Sequence, residues 1–161
     1  MTSSYRDSAT YTNFKNARLL VIEDNPDHVA IINRAIEQCL PEVKLVLATT
    51  EEEALNYLNH CQQEEWDIPK LILLDLYLPN RETGWRLLAT IKAMAGALSK
   101  VPIVLLSSSD SRHDIAEAYD RGCSSYLVKQ GGFDSWLDHF KTLRTYWWET
   151  VTLPKPGVSS F

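Results

Sequence analysis

Apolar positions along the chain fall into two alternating kinds of segment. Short aliphatic runs with little polar interruption occur in "ARLLVIED" (17–24), "EVKLVLA" (42–48), "KLILLDLYLPN" (70–80), "VPIVLLS" (101–107) and "SSYLVK" (124–129). Their length and lack of alternation predict strands covered on both faces. Between them apolar residues recur at helical spacing, as in Val29, Ile32, Ile36 and Leu40, or Trp85, Leu88, Ile91 and Ala95. Asn25 and Pro26 supply a cap and first position for the first helix, and Thr50 with Glu53 a capping box for the second. The polar stretch "NRET" reads as a solvated loop before a third helix opening at Gly84. A fourth helix is expected over about 111–121, and a fifth from Asp134 behind Phe133 as a hydrophobic staple.

Five βα units in succession specify an α/β fold with a parallel sheet and helices on both faces, because parallel neighbours need right-handed crossovers. For five strands the doubly wound order 2-1-3-4-5 is the natural solution, with its switch point between strands one and three. Glu23, Asp24 and Asp75 would then meet at one edge.

The chain of 161 residues fits one domain, expected over 17–149, with a flexible arm over 1–16 and a tail over 150–161. A hydrophobic content of 45% and a charged content of 23% are ordinary for a soluble protein, and the apolar runs are too short to span a bilayer. Residues 1–16 have no apolar signal core, so a cytoplasmic location without membrane attachment is expected. The net charge of −5 gives no support for direct nucleic-acid binding. Cys39, Cys61 and Cys123 are odd in number, widely spaced and without a histidine at ligand spacing, which favours buried thiols over zinc or disulfides.

Three carboxylates at two adjacent strand ends form an arrangement that stability alone would avoid. Two like charges ~4 Å apart repel by roughly 4 kcal/mol at an effective dielectric of ~20, so the trio must protonate, separate or recruit a cation. Mg²⁺ suits the site because it takes oxygen ligands and sits between carboxylates and phosphates. For Glu23 and Asp24 alone, initiation of the following helix is an equally good reading. Ser107, Ser108 and Ser109 end the fourth strand and Lys129 the fifth. A polar turn and a surface lysine explain each singly, but their convergence on the acid edge is hard to obtain by chance.

The series "IED", "LLDLYLP", "VPIVLLSSSD" and "YLVK" resembles, in order and spacing, the two-component response-regulator receiver domain over about 18–148. The resemblance implies a flavodoxin-like receiver fold and a signalling protein, not an enzyme in the usual sense, that promotes its own phosphorylation and dephosphorylation. It further implies that Asp75 accepts a phosphoryl group from a sensor histidine kinase. Asp24 and Asp75 would bind Mg²⁺ directly, Glu23 through water, and the Tyr77 backbone carbonyl would be a further ligand. Ser107 matches the hydroxyl that bonds the acyl phosphate, Lys129 the ammonium that pairs with it, Tyr126 the aromatic rotamer switch, and Gly84 the glycine nine positions after the acceptor. In receivers a proline, commonly in a cis bond, usually follows the lysine; Gln130 stands there in this chain. Either a cis bond is retained at a cost of roughly 3 kcal/mol, or the loop "KQGGF" takes another path. His28, His60, His113 and His139 show no phosphodonor context and read as surface or packing residues.

Beyond the last strand, Trp136, Leu137, Tyr146, Trp147 and Trp148 are more aromatic and apolar weight than one helical face can direct at a sheet. They suggest either a contact surface or a tail folded back over its own domain. This C-terminal pattern resembles the small stand-alone regulators paired with cyanobacterial phytochrome-type histidine kinases, which implies a light-sensing kinase partner and a homodimer through the fifth helix. A receiver-like scaffold without phosphorylation would be expected to lose members of the acid, hydroxyl and lysine set. A haloacid-dehalogenase-type hydrolase needs a second Asp where Tyr77 stands, and flavin binding wants a hydroxyl-rich loop where "EDNPD" stands.

Overall fold

A computed structural model of the chain describes residues 11–154. Five parallel strands, β1 (Arg18–Ile22), β2 (Lys44–Ala48), β3 (Leu71–Asp75), β4 (Ile103–Ser107) and β5 (Ser125–Val128), form one sheet in the order β2-β1-β3-β4-β5. The helices are α1 (Pro26–Cys39), α2 (Glu51–Cys61), α3 (Arg81–Lys92), α4 (Arg112–Asp120) and α5 (Phe133–Leu143). No helix among the described residues is long and apolar enough to cross a membrane.

Successive strand residues point to opposite faces, and the core divides accordingly. Leu20, Ile22, Ile72, Leu74, Ile103 and Leu105 pack under α2, α3 and α4 with Leu58, Leu88 and Ala118. Leu19, Val21, Leu71, Leu73, Val104 and Leu106 pack under α1 and α5 with Ile32, Ile36, Trp136 and Phe140. The three central strands are thus buried on both faces, which is why they lack alternation.

Asn25 caps α1 by accepting from the Asp27 N–H at 2.9 Å, with Pro26 at the first position. The Thr50 hydroxyl accepts from Glu53 N–H at 3.1 Å, and Glu53 accepts from Thr49 N–H at 2.9 Å, one residue outside the reciprocal partner of a strict capping box. The third helix differs from expectation: it opens at Arg81, and Asn80 caps it by accepting from Thr83 N–H at 3.0 Å. "NRET" is therefore a cap and first turn. Gly84 lies inside α3, where a Cβ would stand 1.8 Å from the Leu76 carbonyl oxygen. The fifth helix starts at Phe133, one residue before the expected position, after Gly132 at a φ of +90°.

The N-terminal segment differs from the expected flexible arm, and the chain after α5 follows the folded-back alternative as far as it is described. Within the expected arm, residues 11–16 pack on the C-terminal segment, while residues 1–10 lie outside the described residues. Asn13 is buried; its amide donates to the Trp148 carbonyl at 3.0 Å and the Val151 carbonyl at 2.5 Å, and its oxygen accepts from Leu153 N–H at 3.2 Å. After α5 the chain continues as a π turn over Arg144–Trp148, which drives Trp148 to complete burial against Phe14, at 6.5 Å between ring centroids. Trp136 is buried too, Trp147 is half-buried, and Tyr146 is 51% exposed. The surplus aromatics are shared between the domain's own core and its surface. The three cysteines are buried free thiols, and burial pushes Cys61 and Cys123 up to about 11.

Candidate functional site

At the C-terminal edge of the sheet, β1 and β3 are neighbours, and the chain leaving each delivers an acid to the crevice between them. Glu23, Asp24 and Asp75 each offer a carboxylate oxygen, and the three atoms lie within 4.8 Å of one another. Glu23 and Asp75 are buried and Asp24 is exposed, so the cluster opens to solvent on one side. An open cleft passes over these acids and is also lined by His28, Tyr77, Ser109 and Lys129.

Burial, and secondarily the Glu23 charge, pushes Asp75 up to about 7, against the opposing pull of Lys129. Asp75 is oriented by the Tyr77 N–H, which donates to its Oδ1 at 3.2 Å. Lys129 enters from the end of β5 with its Nζ at 2.9 Å from Glu23 Oε2 and 3.4 Å from Asp75 Oδ2. One buried ammonium therefore faces two buried carboxylates and an exposed one. A divalent cation held among the three acids would supply the missing positive charge, and the all-oxygen donor set suits a hard cation such as Mg²⁺ or Mn²⁺.

Ser107 is fully buried at the end of β4, and its hydroxyl accepts from Ser109 N–H at 3.1 Å. Ser108 and Ser109, not Ser107, line the open cleft. The Tyr126 hydroxyl donates to the Ser109 carbonyl at 2.7 Å, so the half-buried ring is tied to the same loop. Among the described residues the cis peptide is Leu78–Pro79; the Lys129–Gln130 bond is trans, and the "KQGGF" loop takes its own path with Gly132 in the left-handed region.

Sequence reasoning missed three residues near this edge. Asp114, in the first turn of α4, is buried and accepts from Arg81 Nη1 at 2.6 Å, Ser109 Oγ at 2.7 Å and the Tyr77 hydroxyl at 3.2 Å. It ties the loops after β3 and β4 together, and these bonds, led by that from Ser109, hold its carboxyl below the usual range. His28 and His139 reach the end of β5 from α1 and α5. The spacing of Ser111 to Asp114 marks a helix cap, but nothing in sequence links Asp114 to Arg81 or either histidine to Lys129.

The response regulator receiver domain profile matches residues 19–141. The chain is 29% identical to response regulator Rcp1 of a Synechocystis species over 84% of this chain and 92% of that one. It is 31% identical to a probable methanogenesis regulatory protein, FilR2, of Methanothrix harundinacea, over 86% of this chain and 88% of that one. The crystal structure of a phosphorylated cyanobacterial phytochrome response regulator, RcpA, is similar at 31% identity and a TM-score of 0.74, covering 86% of this chain and 99% of that one. A manganese-bound structure of Rcp1 is similar at 28% identity and a TM-score of 0.72, covering 86% of this chain and 99% of that one. The parallel sheet order, the acid crevice at its switch point and these likenesses converge: the chain belongs to the response regulator receiver domain family, signalling proteins that accept a phosphoryl group on an aspartate beside a bound divalent metal.

Proposed function

We propose that Asp75 is the phosphoacceptor and that Glu23, Asp24 and Asp75 hold Mg²⁺. The observation that carries this is the convergence of the three carboxylates within 4.8 Å, with Lys129 Nζ 3.4 Å from Asp75. In the reaction an Asp75 carboxylate oxygen attacks the phosphorus of a phosphohistidine. A P–O bond forms as the P–N bond breaks, and the imidazole nitrogen keeps the electron pair. Phosphoryl transfer passes through a loose transition state, so the protein's tasks are to align the acceptor and neutralise the equatorial oxygens. Asp24 and Asp75 would ligate the metal directly, Glu23 through water, and the Tyr77 carbonyl would complete the protein's share. Lys129 would pair with the phosphoryl group.

The acyl phosphate then gives the Ser107 hydroxyl a strong acceptor to donate to, drawing its oxygen away from the Ser109 N–H from which it accepts. Movement of Ser107 would release Ser109 and, through its carbonyl, Tyr126, which makes Ser107 and Tyr126 the switch. The scaffold reading is not favoured, because acid, hydroxyl and lysine positions are all filled. Likeness to a phytochrome response regulator supports a phytochrome-type sensor kinase as phosphodonor, met in the cytoplasm. Tyr146 and Trp147 beside α5 offer the homodimer surface.

Transfer of radiolabel from a phosphorylated sensor kinase tests the assignment. Label should reach the wild type with Mg²⁺, and should be lost with a chelator or in Asp75→Asn. Asp24→Ala should resemble chelation more closely than Glu23→Ala does. Undiminished transfer to Asp75→Asn would remove Asp75 from this role.

A further inference from the structure

Lys129 leaves an edge strand into a loop whose first residues are exposed. All four residues of β5 are only half-buried, and Gln130, Gly131 and Gly132 are exposed. A Cβ added to Gly131 or Gly132 would meet nothing within 4 Å, so no packing stiffens the chain at these two positions before Phe133 docks on the core. A lysine side chain carries large rotamer freedom, which must be restricted before its charge is useful at one point.

Two histidines supply that restriction from the helices on one face of the sheet. His28, in the first turn of α1, has its Nδ1 3.0 Å from Lys129 Nζ. The ammonium has only donors, so a bond between the two requires Nδ1 to accept and the imidazole proton to sit on Nε2, although Glu23 Oε1 lies 3.5 Å from the same nitrogen. The ring is seated against buried Trp136 of α5, at 5.6 Å between centroids. From α5 itself, His139 Nε2 donates to the Val128 carbonyl at 2.9 Å, one residue before Lys129. The Lys129 N–H donates to the Ser107 carbonyl at 2.7 Å. With Glu23 and His28 taking two of the ammonium's three donors, the third is left toward Asp75.

We propose that His28 and His139 are positioning residues for Lys129: His28 aims the ammonium at the Asp75 edge, and His139 fixes the strand end that carries it. Neither touches the reacting atoms. Because the route runs through Trp136, the same contacts join the acid site to α5. The inference rests on the phosphoacceptor reading above.

Beryllofluoride, which mimics a phosphoryl group on a carboxylate, is the probe, titrated with Mg²⁺ in excess and followed by tryptophan fluorescence. His28→Ala should weaken its binding roughly tenfold, the worth of one charge-assisted hydrogen bond. His28→Asn, whose amide oxygen falls near the place of Nδ1, should recover most of the loss. His139→Ala should show a smaller loss, recovered by His139→Gln, whose amide N–H falls near that of Nε2. In a Lys129→Ala background His28→Ala should cost nothing further, since its effect passes through the ammonium. Long-range ¹H–¹⁵N NMR of the unsubstituted protein should show the Nε2–H tautomer at His28, with the Nδ1 signal moving in Lys129→Ala. Wild-type affinity in His28→Ala, an equal loss in both backgrounds, or an Nδ1–H tautomer would overturn the proposal. A wild type that binds no beryllofluoride would instead sink the phosphoacceptor reading, and this inference with it.

Discussion

Gly84 occupies a place where no side chain fits. With a Cβ due 1.8 Å from the Leu76 carbonyl, Gly84→Ala must push α3 away from the end of β3, and backbone cannot yield as a flexible side chain would. A loss of about 2–4 kcal/mol is expected in urea denaturation, the range of severe overpacking, and an unchanged midpoint would show that α3 slides freely. Asp75 sets a pH dependence of its own. Its pKa stands at about 7 in the folded protein against an ordinary 3.8, so the folded state binds its proton more tightly than the unfolded chain does. Metal-free protein should therefore lose stability as pH rises through that interval, and Mg²⁺ should restore it above the upper value. Asp75→Asn, which cannot ionise, should melt higher than the wild type in chelator at pH ~8 and show a flatter pH profile. A lower melting temperature there would mean that burial does not burden this carboxylate.

Elements were legible in the sequence wherever a local rule decides them. Strands β1, β3 and β4 announced themselves as aliphatic runs, and Asn25 and Thr50 both cap as side-chain acceptors. The start of α3 was misread because Arg81 and Glu82 look solvated; the usable signal was Asn80 three residues before Thr83, whose N–H and hydroxyl both find the Asn80 oxygen. The acids, Ser107 and Lys129 were legible as strand ends, since topology alone brings strand ends together. Asp114, His28 and His139 were not, because each meets its partner across the fold. Burial of Trp148 was equally hidden: a helical spacing of aromatics does not say that a π turn follows and folds the chain back. That clasp is testable through Asn13, whose side chain makes three bonds to the segment after α5. Asn13→Ala leaves two carbonyls and an N–H without this partner, and should cost about 2–3 kcal/mol of stability in thermal or urea melts. A wild-type midpoint would show that the two termini are not held through this residue.

On the scale of the whole molecule, the acid crevice and the α5 surface lie on elements that share one buried face, linked by His28 and Trp136. A two-fold pair would bring exposed Tyr146 and half-buried Trp147 of each copy together. Tyr146→Ala with Trp147→Ala is the appropriate variant, because Trp148 belongs to the core and its removal would open a cavity. Sedimentation should show dimer dissociation strengthened by more than tenfold in that double variant; buried interface aromatics are worth roughly 2 kcal/mol each. A wild type that stays monomeric at high concentration, with and without beryllofluoride, would contradict the dimer. The chemistry itself is decided most directly by locating the phosphoryl group. After transfer from the kinase in Mg²⁺, borohydride reduction of the acyl phosphate followed by peptide mass spectrometry marks the acceptor covalently. Residue 75 should be converted to homoserine in the phosphorylated wild type and left as aspartate when the metal is chelated. Conversion of a different carboxylate, or a phosphoryl group carried on a serine or histidine while Asp75 stays intact, would contradict it.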